Sequence, residues 1–423
     1  MTVKIHPTRV TGAVKIPPSK SMSHRAIICA ALASGTSKIS NIAFSEDILT
    51  TIEGMKALGA KIDCFDDYVI VDGIKNFDSL YENKVNCNES GSTLRFFIPI
   101  FSLTNKEVTF LGKNRLLIRP QAIYNEIFTS RGLDFSQDDK KLTIKGKLPA
   151  GRYELAGDVS SQFISGLLFA LPMLDGDSEI HVSEPYESRS YVDLTMQMLT
   201  DFGIDVKYTD NNTLFIKGNQ SYKACDHTVE GDFSQFGFFA VLGAINNTLI
   251  CEGLRHDSKQ GDKQMVQILK DCGVDISETH SGYRIRNSKV NAVDIDLKDC
   301  PDLGPILTVL CAVADGKSTI FNAGRLRIKE SDRILAMETE LRKFGIDISS
   351  TNDVITMNGQ NKFNTDDITC GHKDHRIVMA LSVLATICAQ PVEITEAEYI
   401  KKSYPNFFED LEKLGVKVEK SYE

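Results

Sequence analysis

Six glycines recur along the chain at nearly equal intervals, each after a predicted amphipathic helix and before a short predicted strand. They are Gly59, Gly132, Gly203, Gly273, Gly345 and Gly415, and neighbouring members are about 70 residues apart. Glycine enters the left-handed conformation that ends many helices at little cost, so each one marks a helix C-terminus. Six such units account for the 423 residues, enough for more than one domain. The spacing therefore predicts a fold built from six copies of one unit.

A second predicted helix, more apolar than the first, recurs in every unit. Its copies begin near Ser21, Ser92, Ser161, Gln235, Gly304 and His375. Short strand-like segments flank both helices, which gives the order strand–helix–strand–helix–strand–strand. Because a helix without a polar face has to be buried, we expect an α/β fold in which sheets cover these apolar helices.

The two ends of the chain indicate how the repeats are divided. The sixth copy stops one strand short of a full unit, and residues 3–5 form a spare strand-like segment before the first copy. We expect this strand to complete the sixth repeat. The predicted domains, of three repeats each, are residues 16–230 and residues 1–15 with 231–423. A six-unit solenoid is the alternative, although solenoid repeats usually have about 20–45 residues and distinct capping ends.

Composition and charge argue against several classes of protein. The apolar fraction of 42% and the charged fraction of 25% are ordinary for a soluble protein. The ten cysteines form no Cys-x-x-Cys pair, which is typical of reduced thiols in the cytoplasm and predicts neither a zinc site nor a disulfide framework. The N-terminus has no signal-peptide core, and no apolar stretch is long enough to span a membrane. A formal net charge of −9 argues against nucleic acid or a membrane surface as a partner.

Positive charge is concentrated at several predicted helix starts, where each charge is unfavourable by roughly 0.3–1 kcal/mol. The cations fall at equivalent positions of different repeats, in residues 17–25, 119–120, 325–333, 372–376 and 401–405. A single cation at a helix start is usually a solvated surface group. Several at matched positions favour anion sites, because helix N-termini bind phosphates and carboxylates. The pattern predicts one extended polyanion or two small anions as ligands.

Two carboxylates and two serine-rich segments accompany these cations. Asp302 begins the apolar helix of the fifth repeat, and Glu330 stands among the cations of residues 325–333. Such carboxylates are either ion-paired for structural reasons or poised for general acid–base chemistry, and both interpretations stay open. The serines of residues 90–93 and 160–162 are likewise either plain N-caps or phosphate ligands.

Six short motifs follow one another in order along the whole chain. They are PSKSMSHR at 18–25, SGSTLR at 90–95, GDVSSQ at 157–162, RIKESDR at 327–333, DHR at 374–376 and KSYP at 402–405. Together they resemble the 5-enolpyruvylshikimate-3-phosphate synthase family, the enolpyruvyl transferases of aromatic amino-acid and chorismate biosynthesis. The resemblance implies two inside-out α/β barrel domains, each of three βαβαββ repeats. It also implies a cytoplasmic monomer that needs no metal or organic cofactor and whose partners are two small-molecule substrates, shikimate 3-phosphate and phosphoenolpyruvate.

The resemblance also implies roles for particular residues. In the implied reaction the enol carbon of phosphoenolpyruvate is protonated, the 5-hydroxyl of shikimate 3-phosphate attacks, and phosphate leaves the tetrahedral adduct. The residues implied for phosphoenolpyruvate are Lys20, Gly91, Arg119, Gln162, Arg333, Arg376 and Lys402. Those implied for shikimate 3-phosphate are Lys20, Ser21, Arg25, Ser160, Ser161, Gln162, Ser188, Tyr191, Asp302 and Lys329. The implied catalytic residues are Asp302 as base for the hydroxyl, Glu330 as proton carrier for the enol carbon, and Lys20, His375 and Lys402.

The chain departs from the family pattern at a few positions. Glu89 stands where many members have asparagine, and Arg325 and Leu326 replace residues that are polar or aromatic in some members. Gly91 keeps the small residue that the family places against phosphoenolpyruvate. That glycine implies sensitivity to the inhibitor glyphosate.

Two other functions stay open as alternatives. The sister family transfers enolpyruvyl to UDP-N-acetylglucosamine and usually carries a reactive cysteine in a loop, but residues 110–120 contain no cysteine. A non-catalytic six-repeat binding scaffold is the other alternative. Phosphoenolpyruvate binding without turnover would favour the scaffold.

Overall fold

The computed structural model describes residues 1–78 and 80–422. Ser79 and Glu423, the last residue of the expected C-terminal domain, lie outside the described residues. The chain divides into two compact units, which we call the terminal unit (Met1–Ser19 and Glu230–Glu423) and the central unit (Lys20–Val229). The boundaries between the two units therefore lie after Ser19 and after Val229. The repeat pattern predicted them after residues 15 and 230.

Helices and strands alternate in the order that the repeat predicts. The helices of the central unit are α1 Lys20–Leu32, α2 Glu46–Leu58, α3 Gly91–Ser102, α4 Ala122–Ser130, α5 Ser161–Ala170 and α6 Arg189–Asp201. Those of the terminal unit are α7 Phe233–Ile245, α8 Gln264–Asp271, α9 Gly304–Ala312, α10 Arg333–Lys343, α11 His375–Ala385 and α12 Phe407–Lys413. The starts of the apolar helices lie within two residues of their predicted positions, which confirms that part of the repeat.

The strands are numbered in chain order. The first two, in the terminal unit, are β1 Thr2–Ile5 and β2 Ala13–Lys15. The central unit contains β3 Thr36–Ser40, β4 Lys61–Cys64, β5 Tyr68–Asp72, β6 Lys84–Asn86, β7 Val108–Leu111, β8 Asp134–Gln137, β9 Lys141–Lys145, β10 Arg152–Ala156, β11 Ser178–Ser183, β12 Val206–Tyr208, β13 Thr213–Ile216 and β14 His227–Thr228. The terminal unit continues with β15 Leu249–Glu252, β16 Ile276–Thr279, β17 Gly282–Ile285, β18 Asp294–Asp296, β19 Lys317–Phe321, β20 Asp347–Ser350, β21 Ile355–Asn358, β22 Thr369–Cys370, β23 Val392–Thr395 and β24 Val418–Ser421.

Among the described residues, each unit has three four-stranded sheets. Every sheet contains one parallel and two antiparallel strand pairings. Those of the central unit have the orders β14-β3-β5-β4, β6-β7-β9-β8 and β10-β11-β13-β12. Those of the terminal unit have the orders β16-β17-β15-β2, β18-β19-β21-β20 and β22-β23-β1-β24. The α/β class predicted from the sequence is confirmed.

The N-terminal strand completes the sixth sheet. β1 lies between β23 and β24, with Val3 opposite Ile394 on one side and Lys420 on the other. Both pairings are antiparallel, so β1 takes the place of the strand that the sixth repeat lacks. This confirms the prediction made from the incomplete last copy.

Each unit has its own apolar core, and the apolar helices occupy it. In α7, for example, every residue from Phe233 to Ala244 is buried. The amphipathic helices end one or two residues before the six repeat glycines, whose φ angles lie between 68° and 117°, as the sequence predicts. No helix in the described part of the chain is both long and apolar enough to cross a membrane. All ten cysteines are free thiols.

Candidate active site

In the central unit, the first residue of α1 is a cation held by a carboxylate. Lys20 Nζ lies 2.8 Å from Asp47 Oδ2. Asp47 stands in the first turn of α2, where a negative charge is favourable. Its carboxylate offsets the unfavourable placement of Lys20 at the start of α1 and fixes the ammonium group there.

Arg25 connects the start of α1 to the start of α6. This buried guanidinium donates to Ser21 O at 2.7 Å, to Tyr191 O at 2.9 Å and to Thr195 Oγ1 at 2.8 Å. Ser188 precedes α6 with a left-handed φ of 52°. The contacts of Arg25 therefore bring Ser21 and Tyr191 together, although they come from the first and third repeats.

A second network joins the starts of α3 and α5. Arg95 Nη1 donates to Gln162 Oε1 at 2.8 Å and to Ser160 Oγ at 3.4 Å, and Gln162 Nε2 donates to Ser92 Oγ at 2.8 Å. Ser160 Oγ also accepts the amide of Gln162 at 3.3 Å, and Ser90 Oγ accepts the amide of Thr93 at 3.2 Å. Ser90 and Ser160 are therefore helix N-caps.

The guanidinium of Arg119 lies against the first turn of α3. A Cβ atom built at Gly91 would lie 2.8 Å from Arg119 Nη1, which is closer than non-bonded atoms approach. Arg119 itself is only 7% exposed. The absence of a side chain at Gly91 allows this cation to reach the helix N-terminus.

In the terminal unit, Asp302 faces three cations. Its carboxylate is 3.0 Å from Arg376 Nη2, 3.2 Å from Arg333 Nη1 and 3.5 Å from Lys329 Nζ, while 22% of its side chain remains exposed. Burial by itself would raise the pKa of Asp302, but the charges of Arg376, Lys329 and Arg333 outweigh it and hold that pKa well below its usual range. Asp302 is therefore ionised at neutral pH.

Arg333 organises the carboxylates around it. This side chain is 1% exposed, and its Nε donates to Asp374 Oδ2 at 2.8 Å while its Nη2 donates to Glu330 Oε2 at 2.9 Å. Asp374 caps α11 by accepting the amide of Arg376 at 3.0 Å and also accepts Ser331 Oγ at 3.0 Å. One buried guanidinium thus sets the positions of Asp302, Glu330 and Asp374.

Three further predicted residues lie in the same unit. Lys329 has its pKa lowered to about 8, because burial outweighs the favourable charge of Asp302. His375 is buried in the first turn of α11, with Nδ1 3.7 Å from Asp374 Oδ1. Lys402 is buried at the end of the 3-10 segment Ala397–Lys402, which packs against α11.

Comparison with known proteins identifies the family of this chain. Residues 5–411 match the family model of EPSP synthase (3-phosphoshikimate 1-carboxyvinyltransferase). The chain belongs to this family. It is therefore an enzyme of the shikimate pathway and of aromatic amino-acid biosynthesis, a transferase that moves an enolpyruvyl group.

Relatives and solved structures cover nearly the whole chain. The 3-phosphoshikimate 1-carboxyvinyltransferase of Clostridium kluyveri is 46% identical over 421 residues, 99% of this chain and 98% of that protein. The enzyme of the same name from Clostridium perfringens strain 13 is 44% identical over 416 residues, 98% of each chain. The EPSP synthase structure from Acinetobacter baumannii has a TM-score of 0.82 at 25% identity and covers 99% of this chain and 100% of that one. The enolpyruvyl transferase NikO from Streptomyces tendae shares the fold, with a TM-score of 0.78 at 17% identity, over 99% of this chain and 98% of that one.

Four polar residues in these clusters were not singled out from the sequence. Arg95 and Asp374 lie inside two of the six motifs, at 90–95 and 374–376, and that position was the available signal. For Asp47 the only signal in the sequence was its position in the first turn of a helix. Asp262 gives no sequence signal: it is 2% exposed, accepts Ser234 Oγ, and has its pKa raised to about 7 by burial and by the charge of Asp302.

The structure also accounts for the three departures from the family pattern. Glu89 accepts a hydrogen bond from Asn114 Nδ2. Arg325 Nη2 donates to Lys298 O at 2.6 Å. Leu326 is 1% exposed and is a member of the terminal-unit core.

Within residues 1–78 and 80–422, no group of three or more His, Cys, Asp or Glu side chains is arranged to hold a metal ion.

Proposed function

We propose that this protein transfers the enolpyruvyl group of phosphoenolpyruvate to the 5-hydroxyl of shikimate 3-phosphate and releases inorganic phosphate. The observation that carries the proposal is the cluster around Asp302, in which an ionised, partly exposed carboxylate faces Arg376, Arg333 and Lys329. Both substrates are anions, and cations at helix starts in each unit suit them.

The two substrates are assigned to the two sets of residues by the family pattern. Shikimate 3-phosphate would be bound by Lys20, Ser21, Arg25, Ser160, Ser161, Gln162, Ser188, Tyr191, Asp302 and Lys329. Phosphoenolpyruvate would be bound by Lys20, Gly91, Arg119, Gln162, Arg333, Arg376 and Lys402. Support for these sets comes from the contacts of Arg25 with Ser21 and Tyr191 and from the closeness of Arg119 to Gly91.

The chemistry divides between two carboxylates. Glu330 delivers a proton to the enol carbon, and the resulting oxocarbenium-like centre is attacked by the 5-hydroxyl, whose proton passes to Asp302. The former enol carbon then returns a proton to Glu330, and the electron pair of that carbon–hydrogen bond restores the double bond as the carbon–oxygen bond to phosphate breaks and phosphate leaves. His375, Lys20 and Lys402 are assigned to support these steps, with Lys20 and Lys402 offsetting the charge of the departing phosphate.

A carboxylate with a depressed pKa is a weak base, so Asp302 has to become more basic before it can act. The guanidinium groups of Arg333 and Arg376 that lower its pKa are the groups assigned to the carboxylate of phosphoenolpyruvate. An incoming carboxylate would share their hydrogen bonds and weaken their hold on Asp302. Binding of one substrate would thereby raise the basicity needed to deprotonate the other.

The deciding experiment measures phosphate release by the purified protein with both substrates and with each alone. Release that needs both substrates and is lost in Asp302→Asn supports the reaction and its base. No phosphate release when both substrates are present overturns the substrate assignment, and UDP-N-acetylglucosamine is then the acceptor to test.

Further properties belong to the same proposal. We propose that each unit is an inside-out α/β barrel, that the enzyme is a cytoplasmic monomer with no nucleic-acid partner, and that it needs no cofactor. The free cysteines and the net charge of −9 support this picture. Because Gly91 has no side chain to displace the guanidinium of Arg119, glyphosate should inhibit turnover when phosphoenolpyruvate is limiting; unchanged turnover at high inhibitor would refute this.

A further inference from the structure

The four residues before His375 form a tight turn from side chains that are poorly suited to it. The amide of Asp374 donates to Gly371 O at 2.9 Å, and His372 and Lys373 between them have φ angles of 50° and 52°. Positive φ at both central positions is the mark of a type I′ turn, where Gly, Asn and Asp dominate. Histidine tolerates this conformation better than lysine does. Such a turn persists only where its surroundings hold it in place.

Glu396 holds one side of the turn. Its Oε2 accepts the amide of Lys373 at 2.8 Å and the thiol of Cys370 at 3.3 Å. The sulfur of Cys370 in turn accepts the amide of His372 at 3.3 Å. Both strained amides are therefore tied, directly or through one sulfur, to a single carboxylate.

Glu340 holds the other side from within the core. This α10 side chain is 1% exposed, and its Oε1 lies 2.8 Å from His372 Nε2. Its Oε2 accepts the amide of Cys370 at 3.0 Å and the ammonium of Lys343 at 2.8 Å. The carboxylate thus fixes both the side chain of His372 and the backbone on which the turn begins.

The turn leads directly into the charged cluster of the terminal unit. Asp374, its last residue, caps α11 and bonds Arg333 Nε at 2.8 Å. Arg376, two residues further, lies 3.0 Å from Asp302. A change in the turn would rotate Asp374 and with it the first turn of α11, so the two guanidinium groups would lose their present positions.

We infer that Glu340 and Glu396 are positioning residues, which hold the left-handed pair His372–Lys373 and thereby set Arg376 and Arg333 for the carboxylate of phosphoenolpyruvate. The inference rests on the proposed function for the identity of that ligand. Neither glutamate is assigned any contact with a substrate.

The first test compares Glu396→Ala and Glu340→Gln with the parent. Release of a turn residue from a strained conformation is expected to raise the KM for phosphoenolpyruvate roughly tenfold, while the KM for shikimate 3-phosphate and the Tm change far less. Equal increases in both KM values, or no increase, would overturn the inference.

Each variant has a matched control close to it in the chain: Glu393 is three residues before Glu396, and Glu338 is two residues before Glu340. Glu393 lies on β23 and bonds Lys4 Nζ at 2.9 Å, and Glu338 lies on α10 and contacts Arg342 and Ser350. Glu393→Ala and Glu338→Gln remove the same charge without touching the turn, so both should keep the parent KM values. A rise in the KM for phosphoenolpyruvate in these controls would count against a specific role of the turn.

A rescue experiment separates positioning from a general structural role. Glycine adopts left-handed φ without strain, so adding Lys373→Gly to Glu396→Ala should restore much of the affinity for phosphoenolpyruvate. Lys373→Gly alone is the reference protein with which the double variant is compared. Failure of the double variant to recover would contradict the inference, and this pair decides the question even if Glu340→Gln does not fold.

Hydrogen exchange of the amides of residues 370–376 gives a readout that does not depend on turnover. Their exchange should become faster in Glu396→Ala than in Glu393→Ala; equal rates would overturn the idea that Glu396 holds the turn. If the parent protein releases no phosphate from the two substrates, the proposed function fails, yet these exchange rates still test the turn.

Discussion

At the scale of single residues, Asp302 and Lys329 show how burial and charge act against each other. The two side chains are 3.5 Å apart. For Asp302 the neighbouring cations outweigh burial, so the charged form is favoured. For Lys329 burial, together with the charges of nearby arginines, outweighs the carboxylates of Asp302 and Glu330, so its pKa falls to about 8 and the neutral form becomes accessible near physiological pH. Asp302 therefore keeps its negative charge over a wider pH range than that over which Lys329 keeps its positive charge.

This difference predicts a pH dependence. Since the pKa of Lys329 is lowered, its ammonium is present below about pH 8 and is lost as the pH rises through that value. We expect kcat/KM for shikimate 3-phosphate to fall above this pH, and Lys329→Arg to move the fall to higher pH because a guanidinium keeps its proton. A pH profile of kcat/KM for both proteins is the measurement. An identical fall in the variant would show that another group titrates.

The two candidate catalytic carboxylates give a second prediction at this scale. Asp302→Asn and Glu330→Gln should each lower kcat by at least ~100-fold while shikimate 3-phosphate still binds, since the proton-transfer group is lost and the shape is kept. Single-turnover kinetics and calorimetric binding measure the two quantities. Asp315→Asn, which removes an exposed carboxylate paired with Lys289, is the control. A comparable loss of kcat in that protein would contradict a specific role of Asp302 and Glu330.

At the scale of elements, the starts of the apolar helices are the parts of the fold to which the proposed function assigns the substrates. A helix N-terminus attracts anions, and here the first turns of α1, α3 and α11 also carry or contact a cation, namely Lys20, Arg119 and Arg376. Asp47 adjoins Lys20 and Asp302 adjoins Arg376, and each carboxylate offsets the unfavourable position of its cation. At α3, the missing side chain of Gly91 leaves the room that Arg119 occupies.

The close approach of Arg119 to the first turn of α3 predicts the effect of adding one methyl group at Gly91. In Gly91→Ala the new Cβ would lie 2.8 Å from Arg119 Nη1, the mobile end of a side chain, so the guanidinium should move while the helix is retained. Alanine also favours a helix over glycine by about 1 kcal/mol. We expect a higher KM for phosphoenolpyruvate, an unchanged KM for shikimate 3-phosphate and no loss of Tm. A lower Tm with both KM values raised would mean that the helix itself had been disturbed.

At the scale of the whole molecule, the chain leaves the terminal unit after β2 and returns to it before α7. The central unit is one continuous segment with its own core, whereas the terminal unit depends on β1 and β2 from the N-terminus. In β1, Val3 and Ile5 are fully buried. The two units should therefore differ in their tolerance of separation.

Fragments provide the corresponding test. Residues 20–229 expressed alone should unfold cooperatively in urea, because every strand of their three sheets is present. Residues 230–423 alone lack β1 and β2, and we expect them to be unfolded or markedly less stable until residues 1–19 are supplied. A folded fragment 230–423 with the stability of the unit in the full chain would contradict this account.

The sequence by itself determined the periodic features of this protein. The helix starts, the glycine after each amphipathic helix and the place of β1 in the sixth sheet all depend on interactions that recur at fixed spacing, so a repeat reveals them. The cations at the helix starts were visible for the same reason, because they fall at equivalent positions of different repeats, where a positive charge is unusual. Only the tertiary structure decided which side chains meet: Asp47 with Lys20, Arg95 with Gln162, and Glu340 with His372 are pairs between distant residues. Their pairing depends on how separate elements pack, and the pKa values of Asp302 and Lys329 depend on the burial and charge that this packing creates.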